Sequence, residues 1–586
     1  MKTALRTTGL LASLLLPLGA RGESLPTKTD SDQVVQLEEF SVTGTHLKRT
    51  DQEQVLPVTV LGRDQIEARD ASSPADLLTM LPAVTGLSLN ETAALGAQAR
   101  GDDAAISLRG LPSADTLILL NGRRLAPHPI STVEGSVPSL SVNVNQLPNR
   151  GLERVELLRD GASSVYGTDA VAGVVNFVMR RDFRGTELAL RYGETDQGDG
   201  REYRATLTHG EDFAGGRGRF LSTLDYYDRG AIFASDRDFS AAGDFTSRAP
   251  APWNDVTKST AFFTLSSTSA YGNYSLGTLN PDGTFTAGRP AGIPGTLVAA
   301  SGQFFLVPTA GGTGFKTTTP ARTGIEEGYY WNNNDYRVIQ PESKRTNWFN
   351  SLEYDLNARV TFFSDLSVYH AKSVTYREPD GITASTDGSL IVPATSPYNP
   401  FGTRFWSPTG APNADGTPRL TGMPSAVVIT NKRLTDLATR TATIDDTVYR
   451  GVAGLRGKLA GSWTWEGALL YSAARVTDSE AGADRKSLLQ QAINSVDPAT
   501  AYNPFGYNFA VQGGALVVTG PAQSPDSVTS KFRAPFVRDG ITKLGRRIST
   551  RAATWSRCGA ATRSAARRAG SSATKATTIT GRRSPG

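Results

Sequence analysis

From Thr186 onward the sequence alternates, residue by residue, between apolar and polar side chains in short runs, and this limits the folds open to the chain. Leu188, Leu190 and Tyr192 fall on one side of such a run, with Glu187, Ala189 and Arg191 on the other. The same period of two recurs over residues 203–208, 220–226, 351–356, 366–371, 448–459 and 463–472. Successive side chains of a strand point to opposite faces, so each run predicts a strand with one apolar and one polar face. Gly-rich turns and aromatic strand ends suit a barrel that shows its apolar face to lipid; a soluble β-sandwich would share the period. No stretch after the N-terminus offers about 18 consecutive apolar residues, so no helix is expected to span a membrane.

The N-terminus has its own pattern. Lys2 and Arg6 precede an apolar run from Leu10 to Leu18, then Gly19, Ala20 and Gly22. A charged front, a short apolar run and small residues mark a secretory leader over residues 1–22. The single cysteine, Cys558, allows no internal disulfide. His46, His128, His209 and His370 are scattered without metal-ligand spacing, and no metal or cofactor is expected. Catalytic motifs are missing too. The run Gly311–Lys316 places Phe315 where a phosphate-binding loop needs glycine. An enzyme is therefore not expected.

Between leader and alternating region lie signals of a compact α+β unit over residues 51–180. Val55 to Leu61 reads as a strand. Ser73, Pro74 and Pro82 bracket a short helix as N-cap, first residue and stop, with Leu77, Leu78 and Leu81 on its buried face. Ile106 to Gly110 reads as another strand, and Thr116 to Leu125 as a hairpin on the Asn121-Gly122 turn. Val155 and Leu157 then alternate with Arg154 and Glu156, and Val174 to Val178 forms an apolar strand. Gly161, Gly167 and Gly173 between them predict turns packed tightly against a neighbour.

These residues resemble the plug domain of TonB-dependent outer-membrane receptors. The closing segment carries the family's ordered motif in Glu153, Arg154, Glu156, Arg159, Gly161, Tyr166, Gly167, Gly173 and Asn176. Arg109-Gly110 and Asn121-Gly122 match two earlier plug motifs. The likeness is close over residues 37–230 and extends beyond only in texture. It implies a mainly β chain: a transmembrane antiparallel β-barrel over residues 181–540, incomplete at its C-terminal end, with an N-terminal α+β plug. A plug must block a lumen until it is displaced, so its walls should be polar. Arg109, Arg123, Arg124, Arg154, Glu156 and Arg159 are candidates for breakable contacts with the barrel.

The linker, residues 23–50, contains Leu37 to Thr45, which reads either as an ordinary first strand or as a segment adding to another chain's sheet edge. Within it Glu39, Phe40, Ser41, Val42, Thr43 and Gly44 are similar to the family's TonB box. The resemblance implies capture of that segment by the TonB energy-coupling protein, residence in Gram-negative outer-membrane lipid, and a monomer that binds a metal chelate and no nucleic acid. Ferric siderophores are the family's commonest ligands, with cobalamin and oligosaccharides next. A passive channel or a signalling receptor is the rival. A passive channel would need neither plug nor box, and a signalling receptor would carry a further domain before the box.

Residues 240–345 are rich in Gly, Ser, Thr, Pro and Asn and predict long loops. Tyr271, Tyr274, Phe304, Phe305, Tyr329, Tyr330 and Trp331 are there either to meet a ligand or to pack the loops. Tyr398-Asn399-Pro400-Phe401-Gly402 recurs as Tyr502-Asn503-Pro504-Phe505-Gly506, a turn motif that suggests no chemistry.

Residues 540–586 hold eleven Lys and Arg and no Asp or Glu. Without them the formal charge passes from +5 to −6, so the basic balance is a property of that stretch. No alternation is evident there, and residues 541–586 read as an atypical basic tail. The resemblance implies about 22 strands. With about 10 membrane-crossing residues per strand, roughly a third of the barrel is expected to be missing. An unclosed barrel exposes edge donors and acceptors to lipid, so stable insertion is not expected. A frameshifted or truncated product is the expectation, and a genuine basic extension the alternative.

Overall fold

The computed structural model describes residues 58–553, except 72, 80, 85–101, 135–136, 149 and 460–462, together with 582–583. The leader, the TonB-box candidates Glu39 to Gly44, His46 and Cys558 lie outside the described residues.

The N-terminal unit is built on strands β1 (Val58–Gly62), β2 (Thr116–Leu120), β3 (Arg123–Arg124), β4 (Leu152–Leu158) and β5 (Gly173–Met179), in sheet order β1-β4-β5-β2-β3. β5 runs parallel to β2 and antiparallel to β4. The Asn-Gly turn forms as expected. Asn121 (φ 51°) and Gly122 (φ 73°) both take the left-handed conformation that a tight two-residue hairpin requires. Gly173 has no alternative: a Cβ there would lie 2.4 Å from the Leu158 carbonyl oxygen. The expected helix is α2 (Pro74–Thr79), capped by Ser73 Oγ, which accepts from the Asp76 amide at 3.1 Å. Leu77, Leu78 and Leu81 are buried against the sheet. Helix α1 (Arg63–Arg69) was not expected; Gln65 Oε1 accepts from the Gly62 amide at 3.0 Å and secures its start.

Residues 106–110 do not form the expected strand. Among the described residues only Leu108 pairs, in an isolated bridge with Val84. Arg109 (φ 58°) and Gly110 (φ 72°) are both left-handed, which ends an extended run at once.

The second sheet is an antiparallel meander of eight long strands: β6 (Gly185–Gly193), β7 (Glu202–Phe213), β8 (Gly218–Arg229), β9 (Glu342–Asn357), β10 (Val360–Arg377), β11 (Arg440–Lys458), β12 (Trp463–Ala481) and β13 (Phe536–Ala553). Its two faces obey the alternation. Leu188, Leu190, Tyr192, Leu224, Trp348, Leu366, Tyr449, Leu469 and Tyr471 stand exposed on the outside. Thr206, Asp225, Arg345, Asn347, Asp365, Asp446, Arg450 and Ser472 are buried on the inside, beneath the N-terminal unit. Apolar outside and polar inside is the arrangement of a barrel wall in lipid. Among the described residues the sheet is open. β6 lies at one end, and beyond β13 only Arg582–Arg583 pairs, with Arg538 and Asp539.

The strands are longer than the roughly 10 residues counted per crossing, since β10 to β13 run 18 or 19 residues each. One expectation needs correction. The stretch from 541 is not free of strand, since β13 continues to Ala553. Its polarity explains why the alternation was missed. Thr542, Leu544, Arg546 and Ile548 turn inward, while Lys543 and Arg547 are exposed on the face where β12 shows Leu469 and Tyr471.

Short turns (214–217, 358–359) lie at one end of the wall, and long segments (230–341, 378–439, 482–535) at the other. The long segments share one apolar core. Tyr274, Phe304, Phe305, Tyr329 and Tyr330 are buried there or beside it, so these aromatics pack the loops.

Candidate functional site at the interface of the plug-like unit and the wall

The residues singled out in the closing motif converge on the N-terminal sheet. Arg154 Nε donates to Glu156 Oε1 at 2.8 Å, and Glu156 is fully buried. Asn176 Nδ2 donates to Glu156 Oε2 at 3.1 Å, while its Oδ1 accepts from the Gly122 amide at 2.8 Å. Asn121 Oδ1 accepts from the Met179 amide at 3.0 Å, and its Nδ2 donates to Asp365 Oδ2 on β10 at 3.0 Å. Ser351 on β9 donates to the other oxygen of Asp365 at 2.9 Å. A continuous hydrogen-bonded path thus leads from the sheet interior to the wall.

Of the basic residues singled out, Arg123 pairs with the wall. Arg123 Nη2 donates to Glu466 Oε1 on β12 at 2.5 Å, and its guanidinium stands 4.7 Å from the Phe363 ring centroid. Arg109 donates instead to the Ala172 carbonyl at 3.0 Å, and Arg124 to the Tyr166 carbonyl at 2.7 Å and to Asp169. Arg154 and Glu156 pair with each other, and Arg159 is exposed. Glu153 is half-buried on β4. Gly161 and Gly167 flank the short turn that carries Tyr166, and Gly167 is left-handed at φ 94°. These contacts shape the unit.

The wall itself supplies most of the polar contacts, through residues that sequence reasoning missed. Asp102 is the densest point. Its Oδ1 accepts from Arg345 Nε on β9 at 2.8 Å, and its Oδ2 accepts from Tyr369 Oη on β10 at 2.7 Å. Asn143 Nδ2 lies 3.2 Å from both Asp102 Oδ2 and Asp446 Oδ2 on β11. Burial pushes the Asp102 carboxyl well above the usual range, reinforced by the nearby Asp446 carboxylate and opposed by the Tyr369 and Asn143 bonds. Further contacts follow strand by strand. Arg191 on β6 reaches Asp70 at 3.1 Å, and Arg204 on β7 the Ala71 carbonyl at 2.9 Å. Asn347 on β9 reaches the Gln146 carbonyl at 2.7 Å, and Arg450 on β11 the Leu120 carbonyl at 3.2 Å. Ser472 on β12 accepts from the Ala126 amide at 3.2 Å, and Thr542 on β13 donates to the Pro127 carbonyl at 2.5 Å. Phe349 of β9 packs into the core of the N-terminal unit, and Ala126 packs against Tyr369, Ala371, Val448 and Ala474 of the wall; around these apolar contacts the seat is built from directional bonds, many to backbone carbonyls. Each such bond contributes about 0.5–1.5 kcal/mol net, so it can be broken stepwise.

Among the described residues, no group of three or more His, Cys, Asp or Glu could hold a metal ion. No helix there is long and apolar enough to cross a membrane.

Residues 50–174 match the family model of the TonB-dependent receptor plug domain. Among solved structures, the chain is similar to the ferric enterobactin receptor PfeA, at 13% identity and TM-score 0.32 over 84% of this chain and 58% of that one. It is similar to the ferric citrate transporter FecA, at 12% identity and TM-score 0.32 over 85% of this chain and 54% of that one. It is also similar to the siderophore receptor PiuA from Acinetobacter baumannii, at 13% identity and TM-score 0.34 over 88% of this chain and 58% of that one. The chain spans a little over half the length of these structures.

Proposed function

We propose that this chain, which carries a TonB-dependent receptor plug domain at residues 50–174, serves energised uptake of a scarce ligand across the outer membrane. The observation that carries the reading is the seat of the plug. Seven of the eight wall strands hold it through polar contacts with plug side chains or carbonyls. A plug held by an oily interface would resist displacement until the whole apolar area parted. A plug held by separate hydrogen bonds yields to a directional pull. Residues Glu39 to Gly44 are the proposed handle, grasped by strand addition from the TonB energy-coupling protein.

On the family resemblance, a ferric siderophore is the proposed ligand, ahead of cobalamin or an oligosaccharide. The test is uptake of labelled ferric siderophores by cells carrying the chain, with the proton gradient intact or collapsed. The same cells should carry either Val42 or Val42→Pro, which removes one backbone donor from the proposed added strand. Surface binding should persist in every arm, and entry should occur only with Val42 and an intact gradient. Entry without the gradient identifies a passive channel and refutes the proposal, as does the absence of gradient-dependent entry in every arm.

A further inference from the structure

The three long loops at one end of the wall are tied to one another more closely than three separate loops would be. Asn273–Leu279 of the first pairs antiparallel with Ala426–Arg433 of the second, with Tyr274 opposite Ile429. Tyr274 Oη donates to the Pro504 carbonyl of the third loop at 3.3 Å, and its ring lies 4.9 Å from Phe505 and 5.1 Å from Phe304. Phe304 in turn lies 5.0 Å from Phe401 of the second loop. Both Phe401 and Phe505 are fully buried, so the repeated Tyr-Asn-Pro-Phe-Gly segments place their aromatic residues in one shared core from two different loops.

The two segments are built alike. Asn399 Oδ1 accepts from the Phe401 amide at 2.9 Å, and Asn503 Oδ1 accepts from the Phe505 amide at 3.1 Å. Each asparagine side chain then donates to carbonyls elsewhere in its loop: Ser425 at 2.9 Å for Asn399, and Ala522 at 3.0 Å for Asn503. Each tyrosine crosses to the other loop. Tyr398 Oη reaches the Pro498 carbonyl at 3.0 Å, and Tyr502 Oη reaches Asp436 at 2.9 Å. Lys432 of the second loop completes the tie. Its buried ammonium donates to the Phe505 carbonyl at 3.1 Å and to the Ala270 carbonyl of the first loop.

We propose that the three long loops form one preassembled lid, with the twin Tyr-Asn-Pro-Phe-Gly segments and Lys432 as its keystones, so that access at that end of the wall is gated by a single body. A close-packed core has few intermediate states, so it transmits displacement without deforming. Loops sharing such a core do not close on a ligand one at a time. The gating role rests on the uptake reading; the single body does not, and it is tested without transport.

The test is pairwise distance measurement between spin labels on the Cys558→Ser chain in lipid. Labels at Ala287→Cys, Ala414→Cys and Ala515→Cys place one on an exposed position of each loop. All three distance distributions should be narrow. Phe505→Ala should broaden the two that involve the third loop. Lys432→Met keeps the chain length but removes the donors, and should broaden the first-to-third distribution. A broad distribution for any pair in the otherwise unsubstituted chain overturns the single body. Distributions that stay narrow in both keystone variants overturn the assignment of the keystones.

Discussion

Asp102→Ala is the substitution that most sharply probes how the plug is seated. The carboxylate is 1% exposed, and the Arg345 side chain that it pairs with is 7% exposed. Removing the carboxylate breaks a buried ion pair from one side, which costs about 3–5 kcal/mol. It also takes an acceptor from Tyr369 and Asn143. At about 1.4 kcal/mol per factor of ten, the opening equilibrium of the plug should rise by about 10²–10⁴. Hydrogen exchange reads this directly, because the amides of Val174 and Val175 at the sheet centre are exposed only when the plug loosens. They should exchange faster by that factor. Adding Arg345→Met removes the other charge of the pair and should recover most of the loss, since the two effects belong to one contact. A change below about threefold in the single variant, or strictly additive effects in the double, would refute the reasoning.

Phe401→Ala and Phe505→Ala should each destabilise the lid by about 3–5 kcal/mol through cavity formation, lowering protection of the Tyr274 and Ile429 amides while those of the plug hold. Leu469→Arg should cost about 2–4 kcal/mol of folding free energy in bilayers, because Leu469 is exposed midway along β12; an unchanged unfolding midpoint would remove β12 from lipid. The lid should also respond to pH. Burial and the hydrogen bond with Asp380 push the Asp484 carboxyl up to about 7, against the pull of Lys486. The Asp484 bond, Arg440 and Lys486 outweigh burial and hold Asp380 below its usual range. The folded lid therefore keeps a proton on Asp484 that the unfolded chain releases near pH 4, so this contribution is full in acid and lost as pH rises through about 7. Asp380 is already ionised there and contributes no opposing slope. Lid stability should fall between about pH 4 and 7, and Asp484→Asn should flatten the fall; a pH-independent parent would contradict it.

The plug was legible because its signals are local. The Asn121-Gly122 turn and the Ser73 cap are each set by residues a few positions apart. The seat was not legible for the opposite reason. Asp102 meets Arg345 and Tyr369 across 243 and 267 residues, and nothing around Asp102 in the sequence announces either partner. The Arg-rich plug motifs drew attention to the wrong side of the interface, since the wall supplies most of the donors. The twin Tyr-Asn-Pro-Phe-Gly segments were visible as a repeat, but their meaning lies in Phe401 and Phe505 entering one core, which only the fold brings about. β13 escaped notice because Lys543 and Arg547 occupy its outward positions, and alternation was sought with apolar residues outside.

The account turns on a plug that yields to a pull before the wall does. Single-molecule force applied through Thr43→Cys in the Cys558→Ser chain, with the sheet anchored in lipid, tests this most directly. The account predicts stepwise release of residues up to about Arg180 at low force, with the β6–β13 sheet intact afterwards. Rupture of the sheet together with the plug, or before it, would contradict it.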